Sequence, residues 1–258
     1  MIRFCKLILA FFIGLSSSFG QTDNYFSPKN TLKYANYLFN NFEYELAMNE
    51  YSSLLSDYDF VLKKYLISSN KSENYSHGIS TFNSLNQVDN QQEVLDEYFK
   101  LLYLNRSFDD LKKELANSDS KTAKRLKLSI NLLNDSSIQS TDLEIFPELK
   151  KILLYKNQVK KKSPLLAGIA STLLPGLGKL YTGYQKDALA SFLFVGLNSY
   201  LSYRGFQKRG IKSGYGWIYS LAGFSFYVGN IYGSAKSAKT RNKQSKKDLY
   251  EKLDNLYH

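Results

Sequence analysis

The stretch from Ser163 to Ser234 constrains this chain most strongly, because it is both apolar and rich in glycine. It holds 12 of the 15 glycines and the single tryptophan, Trp217. The residues before it have the pattern of water-facing helices, and the residues after it are basic. This distribution indicates two environments: water for the first half of the chain and lipid for most of the second half.

The first twenty residues have the layout of a secretory signal. Two basic residues precede an apolar run at 7–15, and small polar residues follow as far as Gly20. The apolar run is too short to cross a bilayer comfortably, which favours a cleaved signal over an uncleaved anchor. We therefore predict a signal peptide at 1–20. Cys5 is the one cysteine of the chain, so removal of the signal leaves neither thiol nor disulfide chemistry.

Charge divides the chain near residue 155. Residues 21–155 contain 15 basic and 19 acidic side chains, a net charge of −4. Residues 156–247 contain 16 basic side chains and one acidic side chain, a net charge of +15. Because these basic residues flank apolar segments, we expect them to meet anionic lipid head groups. The predicted partner is therefore membrane lipid and not nucleic acid.

The water-facing half lacks the usual helix breakers. No proline occurs between Pro28 and Pro147, and Gly78 is the one glycine between them. Apolar residues recur there at helical spacing. This pattern predicts an all-α fold.

A repeat is visible within this helical half. An aromatic residue followed three positions later by a small or medium residue recurs at matching places in three segments, at intervals of 31 and 33 residues. This period is similar to the 34 residues of a tetratricopeptide repeat, and the segment Thr31–Leu115 resembles a degenerate array of such repeats. We expect a tetratricopeptide-like helical repeat domain at 21–158. It would either hold a protein partner on a concave surface or act as a spacer. The aromatic and small pairs are Tyr44 with Ala47, Tyr75 with Gly78, and Phe108 with Leu111.

The apolar half predicts a transmembrane helical hairpin over 163–234. Leu165–Leu174 is too short to span and fits an interfacial segment. Two longer apolar segments, Ala188–Tyr203 and Tyr215–Gly233, are the expected membrane spans. A basic tail follows at 235–258. The alternative is a soluble apolar hairpin buried under the repeats.

Nine residues are the candidate functional positions of this hairpin. Proline and closely spaced glycines permit a tight bend and close backbone approach. An unpaired amide is costly in lipid, so Asn198 should face a partner helix or water. Tyrosines at segment ends are typical of the lipid interface. The candidate positions are Pro175, Gly176, Gly178, Tyr181, Gly183, Asn198, Gly229, Asn230 and Tyr232.

The hairpin resembles a family of bacterial envelope proteins that carry an N-terminal signal, tetratricopeptide-like repeats and a C-terminal membrane hairpin. Their hairpin opens with S-P-x-x-A-G-x-x-S-x-x-x-P-G-x-G-Q-x-Y-x-G and closes with G-N-I-Y. In this chain Lys179 replaces the glutamine. The resemblance implies a membrane location and this order of parts, and it implies no activity. The matching residues are Ser163, Pro164, Ala167, Gly168, Ser171, Pro175, Gly176, Gly178, Tyr181 and Gly183 at the opening, and Gly229, Asn230, Ile231 and Tyr232 at the close.

The sequence favours a membrane-anchored envelope adaptor over an enzyme. It shows no nucleophile with its base, no metal cluster and no phosphate loop, so we predict no catalytic, cofactor-binding or metal-binding residue. The alternative is a component of membrane-protein biogenesis or transport, with a polar seam inside the hairpin. The signal layout favours the inner membrane, with the repeats in the periplasm. The basic tail favours the cytoplasm by the positive-inside rule. Three arrangements therefore stay open: the Leu165 segment crosses as a third span, the charge bias is overridden, or the first half is cytoplasmic.

Overall fold

The chain folds into helices joined by short turns. The structure, a computed structural model, describes residues 27–58, 60–85, 91–134, 136, 138 and 140–258. Within these residues it contains helices and no strand, which confirms the all-α class. The predicted signal peptide at 1–20 lies outside the described residues. The described residues divide into two compact units: unit 1 runs to Ile130 and includes Tyr257–His258, and unit 2 is Asn131–Leu256.

Unit 1 is built mainly from consecutive helical hairpins. Ser27 and Pro28 start the first helix, because the Ser27 Oγ accepts from the Asn30 amide at 3.4 Å and proline suits the first helical position. Each hairpin pairs two successive helices, α1 with α2, α3 with α4, and α5 with α6. The helices are α1 Pro28–Asn40, α2 Tyr44–Ser52, α3 Val61–Lys71, α4 Tyr75–Ser84, α5 Gln92–Leu104, α6 Phe108–Ala116 and α7 Lys121–Leu133, whose last three residues belong to unit 2.

The three hairpins close with the same turn. Phe42, Glu73 and Arg106 have left-handed φ angles of 64°, 60° and 64°, and they lie 31 and 33 residues apart. In each turn the next amide donates to a carbonyl five residues earlier, which is the bond of a Schellman motif. These bonds are Glu43 to Leu38 at 3.0 Å, Asn74 to Ser69 at 3.0 Å, and Ser107 to Leu102 at 2.9 Å.

Close helix approach in unit 1 depends on a glycine. A Cβ on Gly78 would lie 2.3 Å from the Ser69 Oγ and 2.7 Å from the Leu101 Cδ1. Only glycine therefore lets α4 pack this closely against α3 and α5. Ala47 and Leu111, which occupy the equivalent positions of the other hairpins, are fully buried.

Three buried tyrosines tie neighbouring helices of unit 1 together. Each hydroxyl donates to a polar side chain of another helix, so burial leaves none of these hydroxyls unpaired. Burial raises the pKa of Tyr51 to about 12 and also raises the pKa values of Tyr65 and Tyr98. The bonds are Tyr51 to Asn36, Tyr65 to Thr81 and Tyr98 to Asn83, each 2.8 Å long.

Unit 2 is dominated by two long helices, α12 and α13, that pack against each other, with α10 packed on α13. α13 continues without a break through residue 235, where the sequence suggests the start of a basic tail. α9 also packs on α13, and the Tyr155 hydroxyl donates to the Asp248 Oδ2 at 3.3 Å. The helices are α8 Ser140–Ile145, α9 Pro147–Gln158, α10 Pro164–Leu173, α11 Leu177–Tyr181, α12 Gln185–Arg209 and α13 Gly214–Asp254, with a 3₁₀ turn at Gly210–Lys212.

The two predicted membrane spans require correction. Within the described residues, no helix combines the length and the apolar character needed to cross a membrane. The segments 188–203 and 215–233 do lie within α12 and α13. Their leucines and phenylalanines are separated by serine, asparagine, tyrosine and glycine, which lowers the mean hydropathy. Counting apolar residues therefore overestimated both segments.

Candidate functional site

The turn between α10 and α12 is shaped around two glycines. Gly176 has a φ of +90°, and a Cβ there would lie 2.2 Å from the Ala188 carbonyl oxygen. A Cβ on Gly178 would lie 1.9 Å from the Ala167 carbonyl oxygen. Both positions therefore require glycine, one for its backbone conformation and both for space. Pro175 immediately precedes this tight passage and ends the run of α10.

Polar side chains of α10 and α13 hold this turn from inside the unit. The Asn230 Oδ1 accepts from the Gly176 amide at 3.2 Å. The Ser171 Oγ accepts from the Gly178 amide at 3.0 Å, and it lies 2.7 Å from the Ser234 Oγ. All these contacts are buried, so the otherwise orphaned amides at the start of α11 are satisfied. We call Ser171, Gly176, Gly178, Asn230 and Ser234 the polar seam.

Asn198 lies on the α12–α13 interface, as expected for a costly amide. It is 9% exposed, and a Cβ on Gly223 would lie 3.3 Å from the Asn198 Cβ. Its amide, however, donates to the Phe194 carbonyl of its own helix at 2.7 Å. Ser202, on the same helix, does make a polar contact across this interface. Its hydroxyl donates to the Gly216 carbonyl at 3.0 Å.

Tyr181 and Gly183 form a second polar cluster beyond the seam. The Tyr181 hydroxyl accepts from the Ser163 amide at 3.3 Å, and the Lys162 ammonium lies 4.5 Å from the Tyr181 ring centroid. Gly183 has a φ of +90°, and a Cβ there would lie 2.7 Å from an Arg241 guanidinium nitrogen. That nitrogen donates to the Thr182 carbonyl at 3.1 Å. The cluster fixes the loop before α12 against α13.

Two of the remaining predicted site residues, Gly229 and Tyr232, also lie outside the seam. Tyr232 is 72% exposed, and a Cβ on Gly229 would meet nothing within 4 Å. Sequence reasoning also missed Asn242, whose side chain bonds both the amide and the carbonyl of Lys162 at 2.8 Å. Asn242 was overlooked because it lies among lysine and arginine residues. A four-residue spacing that continues from Ser234 through Ala238 to Asn242, along one face of α13, was the signal that could have identified it.

A cleft of about 290 Å³ opens beside the seam. The Lys179 ammonium on its wall donates to the Ser191 hydroxyl at 2.8 Å. Asn230 is 4% exposed, and its Nδ2 has no hydrogen-bond partner. An unpaired buried donor of this kind is unusual in folded proteins. The cleft therefore presents the Lys179 cation, with the unpaired Asn230 amide nitrogen buried behind its wall and a carboxylate among its other lining residues. The remaining lining residues are Asp187, Ala190, Phe194, Ser225, Phe226 and Gly229.

Burial in the segment 163–234 is inverted relative to a water-soluble core. Of the residues described in this segment, Val195 is the one large apolar side chain that is buried. The helix contacts instead bury glycine, alanine, serine and asparagine. Most of the large apolar side chains are exposed, with exposed fractions from 36% to 82%, and a smaller group that includes Leu201, Phe206 and Ile231 is half-buried. Among the exposed side chains are Leu165, Leu173, Leu193, Leu197, Ile218, Leu221 and Phe224.

No protein family, no curated protein and no solved structure matches this chain. In the part of the chain that the structure describes, no group of three or more His, Cys, Asp or Glu side chains is placed to hold a metal ion. The chemistry of the site therefore has to be argued from its own residues.

Proposed function

We propose that this protein is a membrane-anchored adaptor of the bacterial cell envelope. Unit 2 attaches to lipid through the outer surface of the segment 163–234, and unit 1 holds a protein partner. The inverted burial of that segment carries the proposal. Contiguous apolar patches of this extent are rare on water-soluble monomers and mark surfaces covered by lipid or protein.

The contacts inside the segment suit a lipid-covered helical unit. In lipid no hydrophobic effect drives apolar side chains into the interior of a protein. Helices in lipid therefore associate through small residues and buried hydrogen bonds. α12 and α13 follow this rule, because a Cβ on Gly205 would lie 2.7 Å from the Gly216 Cα. The large outward side chains then contact acyl chains and not water.

Charge supports attachment to anionic lipid. Near α9 and α13 a groove of about 700 Å³ is lined by four lysines. The turn between α12 and α13 adds further basic residues, and Trp217, 51% exposed, lies beside it. Basic residues and tryptophan are enriched at the head-group level of membranes. The groove lysines are Lys156, Lys161, Lys243 and Lys246.

The adaptor half of the proposal rests on unit 1. Its three hairpins share one turn geometry at intervals of 31 and 33 residues, which supports the proposal of a tetratricopeptide-like array. Such arrays present their exposed helix faces to a protein partner. The secretory layout of residues 1–20 supports the periplasmic side of the inner membrane for unit 1.

Vesicle flotation tests the attachment. The full chain is mixed with vesicles of phosphatidylethanolamine and phosphatidylglycerol and then centrifuged through a density gradient. We expect the wild type to float with the vesicles. The double variant Leu193→Lys with Leu221→Lys should bind roughly tenfold more weakly or worse, because each places a charge in the lipid. These leucines are 57% and 65% exposed, so neither change disturbs a buried contact.

Leu154→Lys is the matched control for that experiment. Leu154 lies on α9, outside the segment, and is 54% exposed. This variant should float like the wild type. Equal flotation of the double variant and the control, with both folded by circular dichroism, would contradict lipid attachment through this face.

A second candidate function is a role in membrane-protein biogenesis or transport. The Lys179 ammonium on the wall of the 290 Å³ cleft favours this role, as does the unpaired Asn230 Nδ2 buried behind that wall. In this case the polar seam would handle a polar group within the apolar segment and not only hold the turn.

A further inference from the structure

Tyr257 and His258 belong to unit 1, although more than a hundred residues separate them from its other described residues. Tyr257 is 2% exposed. Its hydroxyl lies 2.6 Å from the Ser129 Oγ, and its ring centroid lies 4.7 Å from that of Tyr103. The Arg125 guanidinium lies 5.0 Å from the same centroid. Two helices, α5 and α7, thus contribute to one pocket around a single side chain.

Unit 1 recognises both the side chain and the main chain of this residue. The Ser129 hydroxyl and the cation of Arg125 select a phenol ring. The Asn70 Nδ2 donates to the Tyr257 carbonyl oxygen at 2.8 Å. Next to it, the Tyr75 hydroxyl lies 3.3 Å from the His258 Nε2. Main-chain bonds combined with a side-chain pocket are the usual means by which proteins hold extended peptides.

The Asn70 side chain makes only one of the two main-chain hydrogen bonds that its amide group can form. Asn70 is 3% exposed, and its Oδ1 has no hydrogen-bond partner. Asn242 in unit 2 shows the complete contact, because it donates to the carbonyl and accepts from the amide of Lys162. Tyr257 satisfies only the donor of Asn70, and a buried acceptor without a partner is costly. A peptide that supplies both a carbonyl and an amide would fit Asn70 better.

We infer that unit 1 carries a binding site for a tyrosine-bearing peptide segment, and that Tyr257 occupies this site in cis. The inference rests on the adaptor half of the proposed function and names the chemistry of the partner: a peptide segment that supplies a tyrosine side chain together with a main-chain carbonyl and amide. Residues Asn70, Tyr103, Arg125 and Ser129 form the site. A partner segment has to displace Tyr257, so the chain regulates its own adaptor surface.

Peptide binding to the full chain tests this inference. The probe is a fluorescein-labelled peptide with the sequence of residues 252–258, and fluorescence anisotropy measures its binding. We expect saturable binding to Tyr257→Ala and binding at least about tenfold weaker to the wild type, because a tethered competitor acts at a high effective concentration. A probe with alanine in place of the tyrosine should not bind. A probe with phenylalanine should bind about fivefold more weakly, through loss of the Ser129 contact.

Two further chains make the outcome decisive. Adding Asn70→Ala to Tyr257→Ala should weaken binding at least about fivefold, whereas adding Asn83→Ala, which removes a side-chain contact outside the site, should not. Tyr257→Phe keeps the buried ring, so it serves if Tyr257→Ala fails to fold, and it should bind the probe with intermediate affinity. Equal binding of the tyrosine and alanine probes, or no binding to either folded variant, would overturn the inference.

Flotation of the same samples separates this result from the attachment proposal. A chain that floats with vesicles but does not bind the probe overturns the peptide site and leaves lipid attachment standing. A chain that binds the probe but does not float with vesicles contradicts lipid attachment and leaves the peptide site standing.

Discussion

The hydroxyl oxygens of Ser171 and Ser234 lie 2.7 Å apart, and both residues are fully buried. They join α10 to α13 at the point where the seam begins. The two are not equivalent, because the Ser171 Oγ also accepts from the Gly178 amide at 3.0 Å. Ser171 therefore supports the turn directly, and Ser234 supports it only through its contact with Ser171.

This asymmetry predicts unequal costs for two similar substitutions. Ser171→Ala leaves the Gly178 amide and the Ser234 hydroxyl without partners, and it should lower the free energy of unfolding by about 2 kcal/mol. Ser234→Ala leaves Ser171 bound to Gly178 and should cost about 1 kcal/mol. Chemical denaturation of the full chain in detergent measures both. A larger loss from Ser234→Ala would contradict the assigned role of Ser171.

Two glycines ten residues apart in the sequence should respond in opposite ways to alanine. Gly178→Ala places a Cβ against the Ala167 carbonyl and should destabilise unit 2 by about 2–3 kcal/mol. Gly168→Ala adds a Cβ that meets nothing within 4 Å. It should be neutral or stabilise α10 by up to about 1 kcal/mol, because alanine favours helix. Thermal unfolding in detergent distinguishes the two variants.

The left-handed turn at Glu73 predicts a stabilising substitution. Glu73 is exposed and has a φ of 60°, a conformation that glycine adopts without strain. Glu73→Gly should raise the free energy of unfolding of unit 1 by up to about 1 kcal/mol. Glu45→Gly, at an exposed helical position of α2, should lower it by about the same amount. Urea titration followed by circular dichroism gives both values, and equal signs would count against the turn geometry.

Buried tyrosines predict a loss of stability at alkaline pH. The pKa of Tyr51 is about 12 in the folded chain and near 10 when the residue is solvated. The unfolded chain therefore loses this proton first, so the stability is complete below pH 10 and declines as the pH rises towards 12. Tyr51→Phe should make the decline shallower, and Tyr65→Phe should act in the same direction. Urea midpoints measured from pH 8 to 12 test this, and an unchanged slope in both variants would contradict it.

The two amide atoms of Asn230 predict different consequences for two substitutions. Asn230→Leu removes the acceptor of the Gly176 amide and should destabilise unit 2 by about 1–3 kcal/mol. Asn230→Asp keeps an oxygen that can accept from the Gly176 amide and replaces the unpaired Nδ2 donor with a second oxygen. If the cleft has a function of its own, Asn230→Asp should abolish complementation of a deletion strain while the protein level remains normal. Full complementation by Asn230→Asp would reduce the seam to a structural role.

Short-range features of this fold were accessible from the sequence. The absence of helix breakers predicted the helices, and the spacing of Tyr44, Tyr75 and Phe108 marks the starts of α2, α4 and α6. The glycines of the 176–178 turn predicted a tight bend of the backbone. The structure adds that the buried Asn230 side chain accepts from the Gly176 amide in this turn. These features depend on residues whose spacing or conformational freedom is visible in the chain itself.

Long-range features were not accessible. The contact between Asn70 and Tyr257 joins residues 187 positions apart and leaves no periodic signal. Phe42, Glu73 and Arg106 adopt left-handed angles that packing of the flanking helices imposes, since none is glycine or asparagine. The two membrane spans were overestimated for a different reason: apolar residues were counted without the intervening serine, asparagine and glycine, which lower the mean hydropathy of both segments.

The position of Tyr257 also orders events during synthesis. The hairpins of unit 1 close through bonds between near neighbours, so they can form as soon as each has left the ribosome or the translocon. The pocket around Tyr257 has to wait until unit 2 has been made and the chain has returned. Unit 1 therefore exists first without Tyr257 in its pocket and receives it last. Under the peptide-site proposal, a newly made molecule has an interval in which a partner meets no competitor.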